Sequence, residues 1–314
     1  MDKLDTITLG RTGLRASVMG LGCGGHSRLG LSQGKSEAEA AGVVRAALDL
    51  GVNFIDTAEG YGTEDVVGLG LQGTPRDHVI LSTKAGVGWH DRKSTAGELS
   101  ERVDACLGRL RTDTIDIFHL HGVGLDDYSF ACDELVPEML KLREKGKIRF
   151  LGITEAFSTD TSHRMLSRAV QDDCWDVMMV GFNILNQSAR EQVLKVTQEK
   201  QIGTLCMFAV RRALSQPDAL RELMQQLVDQ GLVKEIDVED ALGFLIAKGV
   251  AHSIQDAAYR FCRWEPGMDV ILSGTGSVQH LEANAESLSQ PALPPEIVDR
   301  LKSIFEGVDS ISGN

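Results

Sequence analysis

Eight short apolar runs punctuate the chain: 18–23 (VMGLGC), 53–57 (NFIDT), 79–84 (VILSTK), 115–120 (IDIFHL), 148–153 (IRFLGI), 177–182 (VMMVGF), 203–208 (GTLCMF) and 269–273 (DVILS). They are nearly continuous rather than alternating, as expected of strands buried on both faces of a parallel sheet. Between them the spacing predicts helices over 36–50, 97–110, 134–145, 160–170, 188–200 and 254–264. Ser36 and Gly51 stand where an N-cap and a terminating glycine belong. Eight strands each followed by helix or loop predict an α/β fold, a (β/α)8 TIM barrel. Residues 4–17 read as an N-terminal β-hairpin ahead of the first barrel strand, and 291–308 as a C-terminal helix. The stretch 211–252, with helical pieces at 217–230 and 238–248, reads as an elaborated loop on the active face. No repeat or Pro/Gly linker divides the chain, so 1–314 is expected to form one domain.

Composition narrows the function. A formal net charge of −13 argues against nucleic acid and anionic membrane partners, which select clustered Lys and Arg. No apolar run reaches the length of a membrane span, and "MDKLDTITLG" lacks the apolar segment of a secretory signal. Six scattered cysteines without a CxxC pair suit reduced thiols rather than a disulfide frame or a zinc site. A cytoplasmic location is the resulting expectation.

Three of the apolar runs end in groups that packing alone does not call for: Asp56 after the second, Lys84 closing the third and His121 just past the fourth, with Tyr61 shortly after Asp56. Functional side chains of such barrels sit at the C-terminal strand ends, and Asp and Lys are rarely buried unless paired. A structural ion pair at the barrel mouth is one reading. A proton-transfer site is the other. A free phenol titrates at about 10, and an ammonium about 4 Å away, at an effective dielectric of about 20, favours its ionised form by about 4 kcal/mol. Asp56 would hold Lys84 charged and aimed, while His121 would orient a carbonyl oxygen or help pass the proton. Such a site suits protonation of an oxygen as a hydride reaches carbon.

These motifs resemble the aldo-keto reductases. "NFIDTAEGYG" is similar to their Asp-Thr-Ala-x-x-Tyr-Gly signature, "LSTKAG" to the stretch with their lysine, and "IDIFHLHG" to their strand ending in histidine. "EKGKIRFLGIT", "FNILNQ" and "ILSGTGSVQHLEAN" resemble later family segments in the correct order, and "TLGRTGLRASVMGLGCGG" resembles the opening hairpin and first strand. The resemblance implies a nicotinamide cofactor, NAD or NADP, bound across the barrel mouth without a Rossmann domain. It makes Tyr61 the general acid/base, Lys84 its tuning partner, Asp56 the holder of Lys84, and His121 the group that orients the substrate oxygen. His119 shares the inward parity of His121 and reads as a core or supporting histidine.

The implied cofactor set is Gly24, Gly25, Thr154, Glu155, Met179, Met207, Phe208, Arg211, Arg212, Gly274, Thr275, Gly276, Ser277, His280 and Asn284. Several depart from the family pattern. Thr154 and Glu155 replace a serine and an asparagine, Met179 replaces a glutamine, and Met207 an aromatic that stacks on the nicotinamide. Arg211 and Arg212 would form a charge-assisted clamp on the pyrophosphate, or a solvated loop pair. Gly274 and His280 stand where NADPH-preferring members carry Lys or Arg, which favours NAD or use of both. Thr275, Ser277, Asn284 and the helix N-terminus after Gly276 could still hold a phosphate.

The substrate is expected to be a small carbonyl, alcohol or sugar hemiacetal, walled by the loops after strands one, four and seven. Trp89, His90, Tyr128 and Phe130 would line that pocket or pack beneath it, and Asp126 and Asp127 disfavour an anionic substrate. Two competing readings stay open. One is a cofactor-binding regulatory protein of the same fold with little turnover. The other is a barrel hydrolase or isomerase, which would require a metal cluster or a phosphate-binding glycine loop. The sequence does not define an oligomeric state.

Overall fold

A computed structural model describes residues 4–314 except His90, Asp91, Glu235 and Lys248, and for Trp89 the backbone alone. The strands are β1 (Thr6–Thr8), β2 (Arg15–Ser17), β3 (Met19–Gly22), β4 (Phe54–Asp56), β5 (Ile80–Gly86), β6 (Gly88–Trp89), β7 (Arg92–Lys93), β8 (Ile115–Val123), β9 (Ile148–Glu155), β10 (Val177–Gly181), β11 (Gly203–Met207) and β12 (Val270–Ser273). β1 and β2 form the expected antiparallel hairpin. β3, β4, β5, β8, β9, β10, β11 and β12 pair in parallel in that order and close through Ile271 of β12 opposite Met19 of β3. The fold is a (β/α)8 barrel. β6 and β7 make a short antiparallel ribbon in the loop after β5.

Two apolar clusters follow from this closure. Phe54, Ile80, Ile117, Met179, Leu205 and Val270 fill the barrel, and Leu9, Leu14 and Ala16 of the hairpin seal its floor. The larger cluster lies between the strands and the helical shell. Its helices begin where their caps dictate. Ser36 and Glu39 form a capping box at Glu37–Asp49, and Thr95 and Glu98 form another at Ala96–Leu110.

Three elements differ from the sequence expectation. A helix at Glu64–Gly70, not anticipated, packs between its neighbours. Its glycines lower helix propensity but permit close approach. A Cβ on Gly68 would lie 2.6 Å from the Arg109 carbonyl, and one on Gly70 2.6 Å from Val44. The span 160–170 contracts to Arg164–Ala169. The span 238–248 resolves into a turn at Val238–Asp240 and a short helix at Phe244–Ala247. The last helix runs Pro295–Phe305. Among the described residues no helix is long and apolar enough to cross a membrane.

Candidate active site

Strand register gathers the polar residues. Asp56 stands level with Gly22 and Ser82, Lys84 with His119, and Gly86 with His121. Ser82 and Lys84 share the inward face of β5, as His119 and His121 share that of β8. Lys84 Nζ donates to Asp56 Oδ1 at 2.7 Å, Asp56 Oδ2 at 2.6 Å and the Thr57 carbonyl at 2.8 Å. Lys84 is fully buried and Asp56 is 3% exposed. All three ammonium protons are therefore used, as burial of this cation requires. Burial is the largest single influence on Lys84 and works against its charge, but Asp56, by charge and hydrogen bond, together with Tyr61 and Cys23 outweighs it and the ammonium's pKa is raised.

Tyr61 ends a single turn, Glu59–Tyr61, that follows β4. Its ring lies against Gly24, where a Cβ would fall 2.4 Å from the phenol ring. The phenol oxygen is 3.4 Å from His121 Nε2, the two rings meet edge to face, and Lys84 Nζ is 5.3 Å from the Tyr61 ring centroid. The four residues expected at the strand ends thus form one cluster at the C-terminal mouth.

The electrostatics differ from the simple expectation. Burial raises the Tyr61 pKa. Lys84 opposes that effect, and Asp56 and Cys23 add to it. Asp56 sits so close to Lys84 that the phenol meets an ion pair rather than a bare cation, so burial wins. The phenol is protonated at neutral pH, the state a proton donor needs. His121 is pushed down to about 3 by burial and then by Lys84, so its imidazole is neutral. Cys23, fully buried beside Asp56 and Lys84, has its thiol pKa raised by burial and is unreactive.

The structure divides the residues implied for the cofactor. Gly24 borders Tyr61 just past β3, whereas a Cβ on Gly25, at φ 70°, would meet nothing within 4 Å. Thr154 Oγ accepts from the Gly122 N–H at 2.7 Å. Glu155 turns into the protein interior. Its carboxylate is sealed inside, accepting from the Gly181 N–H at 2.7 Å and meeting His163 Nδ1 at 2.9 Å, and burial raises its pKa. His163 was not anticipated. It is buried in the left-handed conformation, φ 58°, with Nε2 unpartnered. Met179 is 3% exposed and belongs to the barrel interior, where its neighbours are apolar. Met207 lies against the same cluster and keeps partial exposure.

Phe208 leaves the strand with φ 70° and stacks on Phe157, which stacks on His163. Arg211 lies over Phe208, 3.9 Å from the ring centroid, and its Nε donates to Asn314 Oδ1 at 3.1 Å. Its Nη1 is buried without a partner. Arg212 is exposed and turns to Gln216, so the two arginines do not form a matched clamp.

At the last loop Gly274 and His280 are exposed, Ser277 caps the helix Val278–Ser289, and Thr275 Oγ accepts from the Ser277 N–H at 3.0 Å. Asn284 donates to Ser273 Oγ at 2.8 Å. Lys35, missed in the sequence, donates to the Gly276 carbonyl at 2.5 Å and brings a cation to this loop. Tyr128 packs: it is buried, and its hydroxyl donates to Asp172 at 2.5 Å and accepts from Trp175 Nε1 at 3.1 Å. Asp127 pairs with Lys93 at 3.2 Å, joining the loops after β5 and β8. The side chain of Trp89, and His90, lie outside the described residues.

A family model described as the aldo/keto reductase family matches residues 19–306. The chain is similar to an L-galactose dehydrogenase of Arabidopsis thaliana, 26% identical over 99% of this chain and 98% of that one. It is also similar to an aldo-keto reductase of Bacillus subtilis, 28% identical over 90% of this chain and 88% of that one. Among solved structures it resembles the holo form of an aldo-keto reductase from Bacillus halodurans, with TM-score 0.74 and 22% identity over 98% of both chains. An aldo/keto reductase from Klebsiella pneumoniae in complex with NADP and acetate gives TM-score 0.69 and 24% identity over 98% of both. With the barrel, the polar cluster at its mouth and a family match over almost the whole length, the chain belongs to the aldo/keto reductase family and is an NAD(P)-dependent oxidoreductase.

Proposed function

We propose that the protein interconverts an alcohol, or a sugar hemiacetal, and a carbonyl, with Tyr61 as the proton donor and acceptor. The observation that carries this reading is the buried Lys84–Asp56 pair set beside a phenol and a neutral imidazole. In reduction the Tyr61 O–H passes its proton to the carbonyl oxygen as hydride arrives at carbon, giving the alcohol. In oxidation the phenolate takes the hydroxyl proton as hydride leaves. Lys84 stabilises the phenolate, and neutral His121 can donate to the substrate oxygen without competing for the proton.

The nicotinamide cofactor, when bound, supplies or accepts the hydride. The residues present suit such a group. Arg211 offers a buried guanidinium nitrogen with no internal partner, and the Ser277-capped helix N-terminus favours a phosphate. Gly274 and His280 favour NAD, while Lys35 beside Gly276 keeps NADP in reach, so both are proposed as cofactors. The sequence likeness to a sugar dehydrogenase supports a sugar hemiacetal as the finer substrate reading. Titration with NADH and NADPH separately, followed by tryptophan fluorescence, then turnover on a panel of aldoses and aldehydes, tests it. The expected result is binding of both with NADH at least as tight, and oxidation of an aldose. Tight NADPH with weak NADH, and reduction of aldehydes alone, would overturn the finer reading.

A further inference from the structure

Ser82 and His119 lie outside the four residues that define the site, yet both are fully buried and directed at it. Ser82 Oγ is 2.8 Å from Asp56 Oδ1 and 3.1 Å from His119 Nε2. A hydroxyl has one proton to give, and an ion-paired carboxylate only accepts. Ser82 therefore donates to Asp56 and must itself accept from the ring. That requires the Nε2–H tautomer of His119, with a bare Nδ1. Nδ1 makes no well-formed hydrogen bond, the Ile153 backbone acts only weakly on the ring, and the ring packs on Gly152, where a Cβ would lie 2.1 Å from that nitrogen. Burial, and then Lys84, holds the imidazole neutral.

Asp56 Oδ1 accepts from both Ser82 and Lys84, whereas Oδ2 accepts from Lys84. The Ser82 bond fixes the rotation of the carboxylate about its own axis, and with it the position of the ammonium below the phenol. We propose that Ser82 and His119 are positioning residues of the proton-transfer centre, a buried donor chain from His119 Nε2–H through Ser82 O–H to Asp56 Oδ1. The proposal rests on Tyr61 as proton donor. It deepens that reading by extending the centre two residues further into the barrel, onto positions that a packing role would leave apolar.

The first test is the imidazole tautomer in the full chain, read by long-range proton–nitrogen-15 correlation and assigned with His119→Gln. The expected state is neutral Nε2–H. An Nδ1–H tautomer would reverse the chain and overturn the proposal. The second is turnover of a reactive aromatic aldehyde. Ser82→Ala should lower kcat about tenfold, the loss expected for one hydrogen bond to a charged acceptor, with KM and cofactor affinity unchanged. His119→Leu should lower kcat about threefold, and His119→Gln, whose amide can donate in place of Nε2–H, should restore it to within about twofold of wild type. The Ser82→Ala/His119→Leu double variant should be no slower than Ser82→Ala, because His119 acts only through Ser82. Additive losses, or wild-type kcat in Ser82→Ala, would overturn the proposal. If Ser82→Ala does not fold, the contrast between His119→Gln and His119→Leu decides.

Tyr61→Phe, assayed alongside, separates the two claims. An active Tyr61→Phe sinks the proton-donor reading itself. An inactive Tyr61→Phe beside a wild-type-like Ser82→Ala sinks only the donor chain.

Discussion

Replacing Lys84 by Met removes the charge while keeping an unbranched side chain of similar length. It leaves Asp56, 3% exposed, without the cation that contacts both of its oxygens at 2.6 and 2.7 Å, and it frees the Thr57 carbonyl. Ser82 remains as a donor, but one neutral hydrogen bond does not replace an ammonium. Removing one partner of a buried pair costs about 3–5 kcal/mol, because the other charge stays uncompensated. Protonation relieves an unpaired carboxylate, so the deficit should be largest at high pH and shrink as the pH falls. Urea unfolding followed by circular dichroism at about pH 8 and about pH 5 should show this convergence. Lys84→Met/Asp56→Asn, with neither charge, should recover most of the stability without recovering turnover. A single variant within about 1 kcal/mol of wild type at both pH values would refute the claim that the pair is buried and mutually dependent.

Two further perturbations probe the floor and the mouth of the barrel. Burial raises the Asp269 pKa to about 6, against the opposing backbone N–H groups of Thr204 and Gly10. A folded pKa above the unfolded value favours folding at low pH, and that contribution is lost as the pH rises through about 6. Asp269→Asn should therefore be more stable than wild type at about pH 8, by up to about 3 kcal/mol, and show no advantage at about pH 4, which thermal melts would measure. Gly24→Ala would place a methyl 2.4 Å from the Tyr61 ring. Displacing the phenol should lower kcat by up to about a hundredfold with little change in melting temperature, and an unchanged kcat would mean that the ring is free to move.

The barrel was legible because its strands, buried on both faces, leave unbroken apolar runs; all eight fall where those runs lie. Asp56, Lys84, His121 and Tyr61 stood out as costly groups in or beside apolar surroundings, and register brings them together. Ser82 did not stand out, since a serine within "VILSTK" reads as small filler. The available signal was parity: two residues before Lys84, on the same inward face, beside a second inward histidine at 119.

Glu155 read as a cofactor contact because nothing local ties it to His163, eight residues on and buried in a left-handed turn. The helix Glu64–Gly70 was hidden by its glycines, whose role is set by Val44 and Arg109 in other elements. What the sequence concealed was therefore contact between elements, while what it displayed was local burial and charge.

The central claim is that Tyr61 transfers the proton. Tyr61→Phe removes one oxygen and keeps the ring that packs on Gly24. The measurement is turnover with saturating cofactor, paired with NADH and NADPH dissociation constants from fluorescence titration. The account predicts a loss of about 10²–10⁴ in kcat, with cofactor affinity preserved. A Tyr61→Phe enzyme whose kcat stays within a few-fold of wild type would contradict it.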